Sequence, residues 1–133
     1  MSEPLRDDSG IVSKTSPHTV SETVRALTDL IGRKGLRLFG VIDQREAARS
    51  AGLDLRETSV VQFGNPALGT PIMEASPLVA LDLPLKIVVW ADGDETRISY
   101  YSPEAIAKRH GLSVEAVAPL AGIDALTDAI VSS

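Results

Sequence analysis

Cysteine is absent from the 133 residues, which excludes a disulfide framework, thiolate metal sites, iron–sulfur clusters and a cysteine nucleophile. Histidine occurs only twice, at His18 and His110, too few imidazoles for a transition-metal site in a chain without thiolates. No metal and no other cofactor is therefore expected. Aromatic residues are scarce: one Trp, two Tyr and two Phe. Runs of the roughly 20 apolar residues that a membrane-spanning helix needs are missing. The first ten residues carry Glu3, Arg6, Asp7 and Asp8 where a secretory signal would be apolar, so a cytoplasmic location is expected. The formal net charge of −5 disfavours a nucleic-acid backbone as partner, and no membrane partner is expected.

What is present reads as one α+β domain over residues 10–133 behind a flexible segment 1–9. With 44% hydrophobic residues the chain has enough apolar surface to fold without staples. A strand is expected over Gly10–Ser16. Thr19 and Glu22 have the spacing of a capping box, and Val20, Val24, Leu27 and Ile31 make one helical stripe. That helix should run from Val20 to Lys34 and stop at Gly35. Leu36–Ile42 reads as a second strand. Asp43 then caps a short helix over Gln44–Ala51, ended by Gly52. Glu57–Phe63 is a third strand. Asn65-Pro66 and Thr70-Pro71 predict two short helical turns, and Ala80–Pro84 a loop. Leu85–Ala91 and Glu95–Tyr101 form a hairpin around Asp92-Gly93. Ser102-Pro103-Glu104 opens a helix that ends at His110-Gly111. A last helix lies between Val114 and Val131, with Pro119 in its first turn.

Counting outward from Asp92-Gly93 pairs Val89 with Thr96 and Ile87 with Ile98. One sheet face then carries Leu85, Ile87, Val89, Ile98 and Tyr100, which suits packing against helices. An antiparallel sheet with one wet face alternates apolar and polar residues. Here the opposite face keeps Phe39, Val41, Val60, Val88 and Trp90. Such a patch is expected to be covered by a second copy of the chain in a two-fold dimer. The terminal helix or the Gly64–Leu83 segment folding over it is the competing reading.

Candidate chemistry is sparse. Gly64 to Thr70 resembles a phosphate loop, but the lysine is missing and Pro66 and Pro71 delete backbone donors. His110 sits at a helix C-terminus, where a cation suits the helix dipole. Asp92, Asp94 and Glu95 read as solvated turn acids. Asp43 has a capping role. Asp82, between leucines and ahead of Pro84, suits either a turn cap or a pocket ligand.

Phe63-Gly64-Asn65-Pro66, Gly69-Thr70-Pro71-Ile72-Met73, Asp82-Leu83-Pro84-Leu85-Lys86, Val89-Trp90 and Ala107-Lys108-Arg109-His110-Gly111-Leu112 occur in an order that resembles the prokaryotic family called domain of unknown function 302. The likeness runs from about Val12 to Ile130. It implies an antiparallel sheet of about five strands with helices on one face, similar to one repeat of the TATA-box-binding-protein fold, and a homodimer. It implies no activity, and fold likeness alone is no warrant for DNA binding. Where many relatives look to have a histidine after the acidic residue at Asp43, this chain has Gln44. The expected function is a homodimeric module that binds a small molecule where Asn65, Met73, Asp82 and Lys86 converge. Two alternatives stand beside it: an enzyme using Asp43 or Asp82 with Lys86 or His110, and a structural partner protein.

Overall fold

The polypeptide alternates between short capped helices and strands, and the caps set most element boundaries. A computed structural model describes residues 5–6 and 9–133. The strands are β1 (Leu5–Arg6), β2 (Ile11–Ser16), β3 (Arg37–Asp43), β4 (Thr58–Gly64), β5 (Leu85–Asp92) and β6 (Glu95–Tyr101). The helices are α1 (Val20–Arg33), α2 (Gln44–Ser50), α3 (Pro66–Ala75), α4 (Pro103–Arg109) and α5 (Gly122–Val131). Two 3-10 segments, Pro77–Asp82 and Glu115–Ala121, precede β5 and α5. The expected flexible segment 1–9 lies mostly outside the described residues. Within it, Leu5–Arg6 pairs with β2.

All six strands form one antiparallel sheet in the order β1-β2-β6-β5-β4-β3. Thr19 caps α1 through the reciprocal bonds with Glu22, and Asp43 caps α2 by accepting from the Glu46 amide at 3.0 Å. At α1, α2 and α4 the last turn closes in the same way. The leucine after a glycine (Leu36, Leu53, Leu112) donates its amide back to Ile31, Ala48 or Ala107. The intervening Gly35, Gly52 and Gly111 have positive φ, the backbone region this closure requires.

The core lies between one sheet face and the helices. Val12, Val61, Phe63, Leu85, Ile87, Val89, Ile98 and Tyr100 join Leu27 and Ile31 of α1, Ile106 of α4, and Ile123, Leu126 and Ile130 of α5 in a single buried cluster. At ~25 cal/mol per Å² of apolar surface, this burial is the main driving force of the fold. The terminal helix packs on α1 and β2. It therefore does not fold over the opposite face.

Several expectations are corrected. The hairpin turns at Gly93-Asp94, because Asp92 pairs with Glu95 and Val89 with Ile98. Gly93 has φ +60° while Asp94 does not have a positive φ, the sign pattern of a type II′ turn. Relative to the expected register the pairing slides by two residues, so every side chain keeps its face. A bulge between Leu38 and Gly40 has the opposite effect. It adds one residue and reverses the alternation beyond it. Val41 consequently pairs with Val61 on the helix side, and Ile42 pairs with Val60 on the other. Val41 thus leaves the patch assigned to it, and Ile42 joins it. The two helical turns predicted at Pro66 and Pro71 merge into α3 with Pro71 inside. The expected loop before Pro84 is a 3-10 segment up to Asp82, and Pro119 sits within the second 3-10 segment rather than in a regular helix.

Candidate functional site

The face opposite the helices holds Val60, Gln62, Val88, Trp90, Arg97, Ser99 and Tyr101, as the strand register places them. Trp90 Nε1 donates to Ser99 Oγ at 3.0 Å, and Ser99 Oγ also meets Ser13 Oγ at 2.8 Å. Arg97 bridges Asp92 at 3.2 Å and Glu95 at 2.7 Å, so two of the turn acids are paired rather than merely solvated.

A cavity of about 300 Å³ opens where the 3-10 segment enters β5 and β6 leads into α4. Asp82, Lys86, Val60, Val88, Ser99 and Tyr101 are among its walls. The local sequence builds it from both sides. Ser102 caps α4 by accepting from the Ala105 amide at 3.1 Å, and Pro103 follows as the first helical residue. The Gly111 stop then leaves Arg109 and His110 at the helix end. Gly10 lets β2 pass close by, since a Cβ there would come within 2.3 Å of the Ala105 Cβ.

Behind the cavity wall, Asp82 is held at both oxygens. Arg109 Nη1 donates to Oδ1 at 2.6 Å, and His110 Nε2 lies 2.6 Å from Oδ2. An ionised carboxylate only accepts, so this contact assigns the ring proton to Nε2. Burial pushes the Asp82 carboxyl upward. The hydrogen bonds from His110 and Arg109, with their positive charge, outweigh it and hold the carboxyl below its ordinary 3.8. A carboxylate so stabilised is a weak base, and neither Arg109 nor His110 lines the cavity. The trio is thus better suited to locking the end of α4 to the segment before β5. The guanidinium of Arg109 also lies 4.6 Å from the centre of the Tyr101 ring.

The four residues expected to converge do not share one pocket. Asn65 and Met73 line a second, mainly apolar cavity of about 320 Å³ with Phe39, Phe63 and Leu83. Asp82 and Lys86 line the first. Leu85 borders both, because it starts the strand that separates them. Asn65 is also occupied as the cap of α3, accepting from the Ala67 amide at 3.0 Å. Asp43 stands apart from Asp82, beside a third cavity with Arg45 and Glu57. Of the candidate acid–base partners, Asp82 contacts His110 and shares the first cavity's lining with Lys86, whereas Asp43 joins neither. His18 contacts Ser133 Oγ at 2.9 Å.

One polar cluster was missed altogether. Lys14 is 4% exposed on the helix side of β2, donating to Thr127 Oγ1 at 2.6 Å and pairing with Asp128 at 2.8 Å. Tyr100 donates to Asp124 beside it, and the Lys14 Nζ lies 5.3 Å from the Tyr100 ring centre. The available signal was position: Lys14 alternates with Val12 and Ser16 on the inward side of a strand. No helix among the described residues is long and apolar enough to cross a membrane.

Comparison with known proteins follows the same outline. Two curated relatives, each named fluoride-specific ion channel FluC 1, come from Brucella suis biovar 1 and Brucella abortus biovar 1. Each is 34% identical over 108 residues, covering 80% of this chain. The chain spans only 42% and 40% of their lengths. The crystal structure of an uncharacterized conserved protein DUF302 from Bacillus stearothermophilus superposes with a TM-score of 0.78 over 92% of this chain and 96% of that one. At 18% identity that likeness establishes the fold alone. The family model described as domain of unknown function DUF302 matches residues 12–130, which include the Asp82 trio and Lys86, and the chain belongs to that family.

Proposed function

We propose that the protein is a homodimeric module that binds a small molecule in the Asp82–Lys86 cavity. One observation carries this reading: the sheet face that no helix of the core covers among the described residues also supplies part of the cavity wall, through Val60, Val88 and Tyr101. An open, partly apolar sheet face favours self-association. A concave site with a few polar groups among apolar walls favours a ligand. Trp90, Val60, Val88 and Ile42 form the contact surface between copies, joined at the sheet margin by Phe39. Native mass spectrometry of protein purified from its own cells tests both parts. The expected species has twice the 14.1 kDa chain mass and retains a small molecule. A bare single-copy species at micromolar concentration overturns the reading.

The relatives named fluoride-specific ion channels support a second reading, in which this domain serves a membrane transport protein. Co-purification of the chain with a fluoride channel from its own cells supports that reading, and its failure after mild cross-linking removes it.

A further inference from the structure

We infer that the cavity takes a small apolar anion whose charged end meets Lys86. This deepens the ligand-binding reading and rests on it. The argument is an inventory of groups that remain free. Each oxygen of Asp82 already accepts one bond, from Arg109 or His110, and the Arg109 charge offsets that of the carboxylate, so its pull on a ligand cation is weakened. Ser99 Oγ already accepts from Trp90 and shares a hydrogen bond with Ser13. Tyr100 turns its hydroxyl away, toward Asp124. Among the described residues lining the cavity, the Lys86 ammonium and the Tyr101 hydroxyl have no partner. An ammonium only donates and a phenol donates readily, so the free groups call for an acceptor-rich, negatively charged end.

The remaining wall sets the other end of the ligand. Val60, Val88, Leu85 and the Tyr101 ring present carbon. Arg109 does not compete with Lys86 for the anion, because it is bonded to Asp82 and lies over the Tyr101 ring. The volume of about 300 Å³ corresponds to roughly ten water volumes of ~30 Å³ each. A cavity of about 150 Å³ holds benzene, so this one admits a single-ring monocarboxylate such as benzoate with room to spare and is far too large for a monatomic anion.

The test uses a matched series on the intact chain: benzoate, benzyl alcohol and benzylamine, with binding followed by amide chemical shifts of the Lys86, Ser99 and Tyr101 region. Benzoate is expected to bind roughly tenfold more tightly than the alcohol, and benzylamine more weakly than either. Lys86→Gln should lower benzoate affinity by about tenfold and leave the alcohol unchanged. Lys86 is exposed, so this variant is expected to keep its fold, checked by its unperturbed spectrum. Equal binding of anion and amine, or benzoate affinity unchanged by Lys86→Gln, overturns the anion assignment while leaving a ligand site in place. Binding of none of the three overturns the assignment of this ligand class. Retention of a different small molecule by native mass spectrometry would then separate that failure from failure of the binding reading itself.

Discussion

Neighbouring residues on β5 and β6 meet two different environments. Val89 and Tyr100 face the helices and are buried, whereas Val88 and Tyr101 face the other way and are more exposed. Both tyrosines lie beneath a cation, Lys14 or Arg109, with aspartate close by. On the helix side the arrangement is closed: Lys14 is buried and its donors find Thr127, the Asp124 carbonyl and Asp128. On the open side Arg109 is half-exposed and Lys86 has no partner among the described residues. The same chemistry stabilises the fold where all partners are internal and leaves binding capacity where one cation is unpaired.

The sharpest way to break this contrast is to place a carboxylate at each of two adjacent valines. Val89→Asp buries a charge with no partner and should cost more than ~4 kcal/mol, leaving no folded protein. Val88→Asp puts the same group on the open face. It should preserve the circular dichroism spectrum while light scattering reports a single-copy mass of 14.1 kDa. A folded Val89→Asp variant would mean that the two faces are less distinct than their burial indicates.

The two lysines offer the next comparison. Lys14→Ala removes buried packing and three donor contacts, with an expected cost of about 2–4 kcal/mol in urea unfolding. The cost is limited because Asp128 is 63% exposed and can return to water. Lys86→Ala should stay within about 0.5 kcal/mol of the wild type.

How much of this was legible depends on the range of each interaction. Caps were read correctly at Thr19, Asp43 and Ser102 because donor and acceptor lie within three residues. The sheet faces on β5 and β6 survived a misplaced turn, since a two-residue slide preserves the alternation. The bulge did not leave so clear a mark. Gly40 was its only local sign, and missing it reversed Val41 and Ile42. His110 was read as a helix cap, and its backbone does close α4. Its side-chain partner Asp82, however, is 28 residues away, and only the fold joins them. Lys14 reaches Thr127 across 113 residues, beyond any local pattern. Asp82 and Lys86 line the same cavity, with only Leu83, Pro84 and Leu85 between them at the start of β5. Asn65 and Met73 belong to another wall, which sequence proximity to the same motifs concealed.

Asp82 sharpens the comparison through pH. Its folded carboxyl titrates below the 3.8 of the unfolded chain. The folded state therefore binds fewer protons, and the resulting stabilisation is fully present above the unfolded value and lost as pH falls through the folded one. Asp82→Asn should be about 1–2 kcal/mol less stable than wild type near neutrality, through the loss of two charge-assisted bonds at a partly exposed site. The gap should close below about pH 4 in acid-unfolding curves, as the wild-type carboxylate itself becomes protonated. A gap that persists unchanged into acid would mean that packing, and not charge, accounts for the cost.

The smallest expected effect separates the two tyrosines. Burial pushes the Tyr100 hydroxyl well above its ordinary 10.0, and donation to Asp124 pushes it further. The folded state therefore holds a proton that the unfolded state releases. Tyr100 contributes stability that is complete below pH 10 and is lost as pH rises above it. Tyr100→Phe should cost about 1 kcal/mol at neutral pH, the usual worth of one internal hydrogen bond. Its unfolding free energy should then fall less steeply than that of the wild type in alkali. Tyr101→Phe keeps the ring under Arg109 and removes a hydroxyl with no internal partner, so it should change stability by no more than a few tenths of a kcal/mol. Equal alkaline slopes for wild type and Tyr100→Phe would show that the hydroxyl beside Asp124 is not insulated from water, and the distinction between the closed and open clusters would fail at the point where they lie one residue apart.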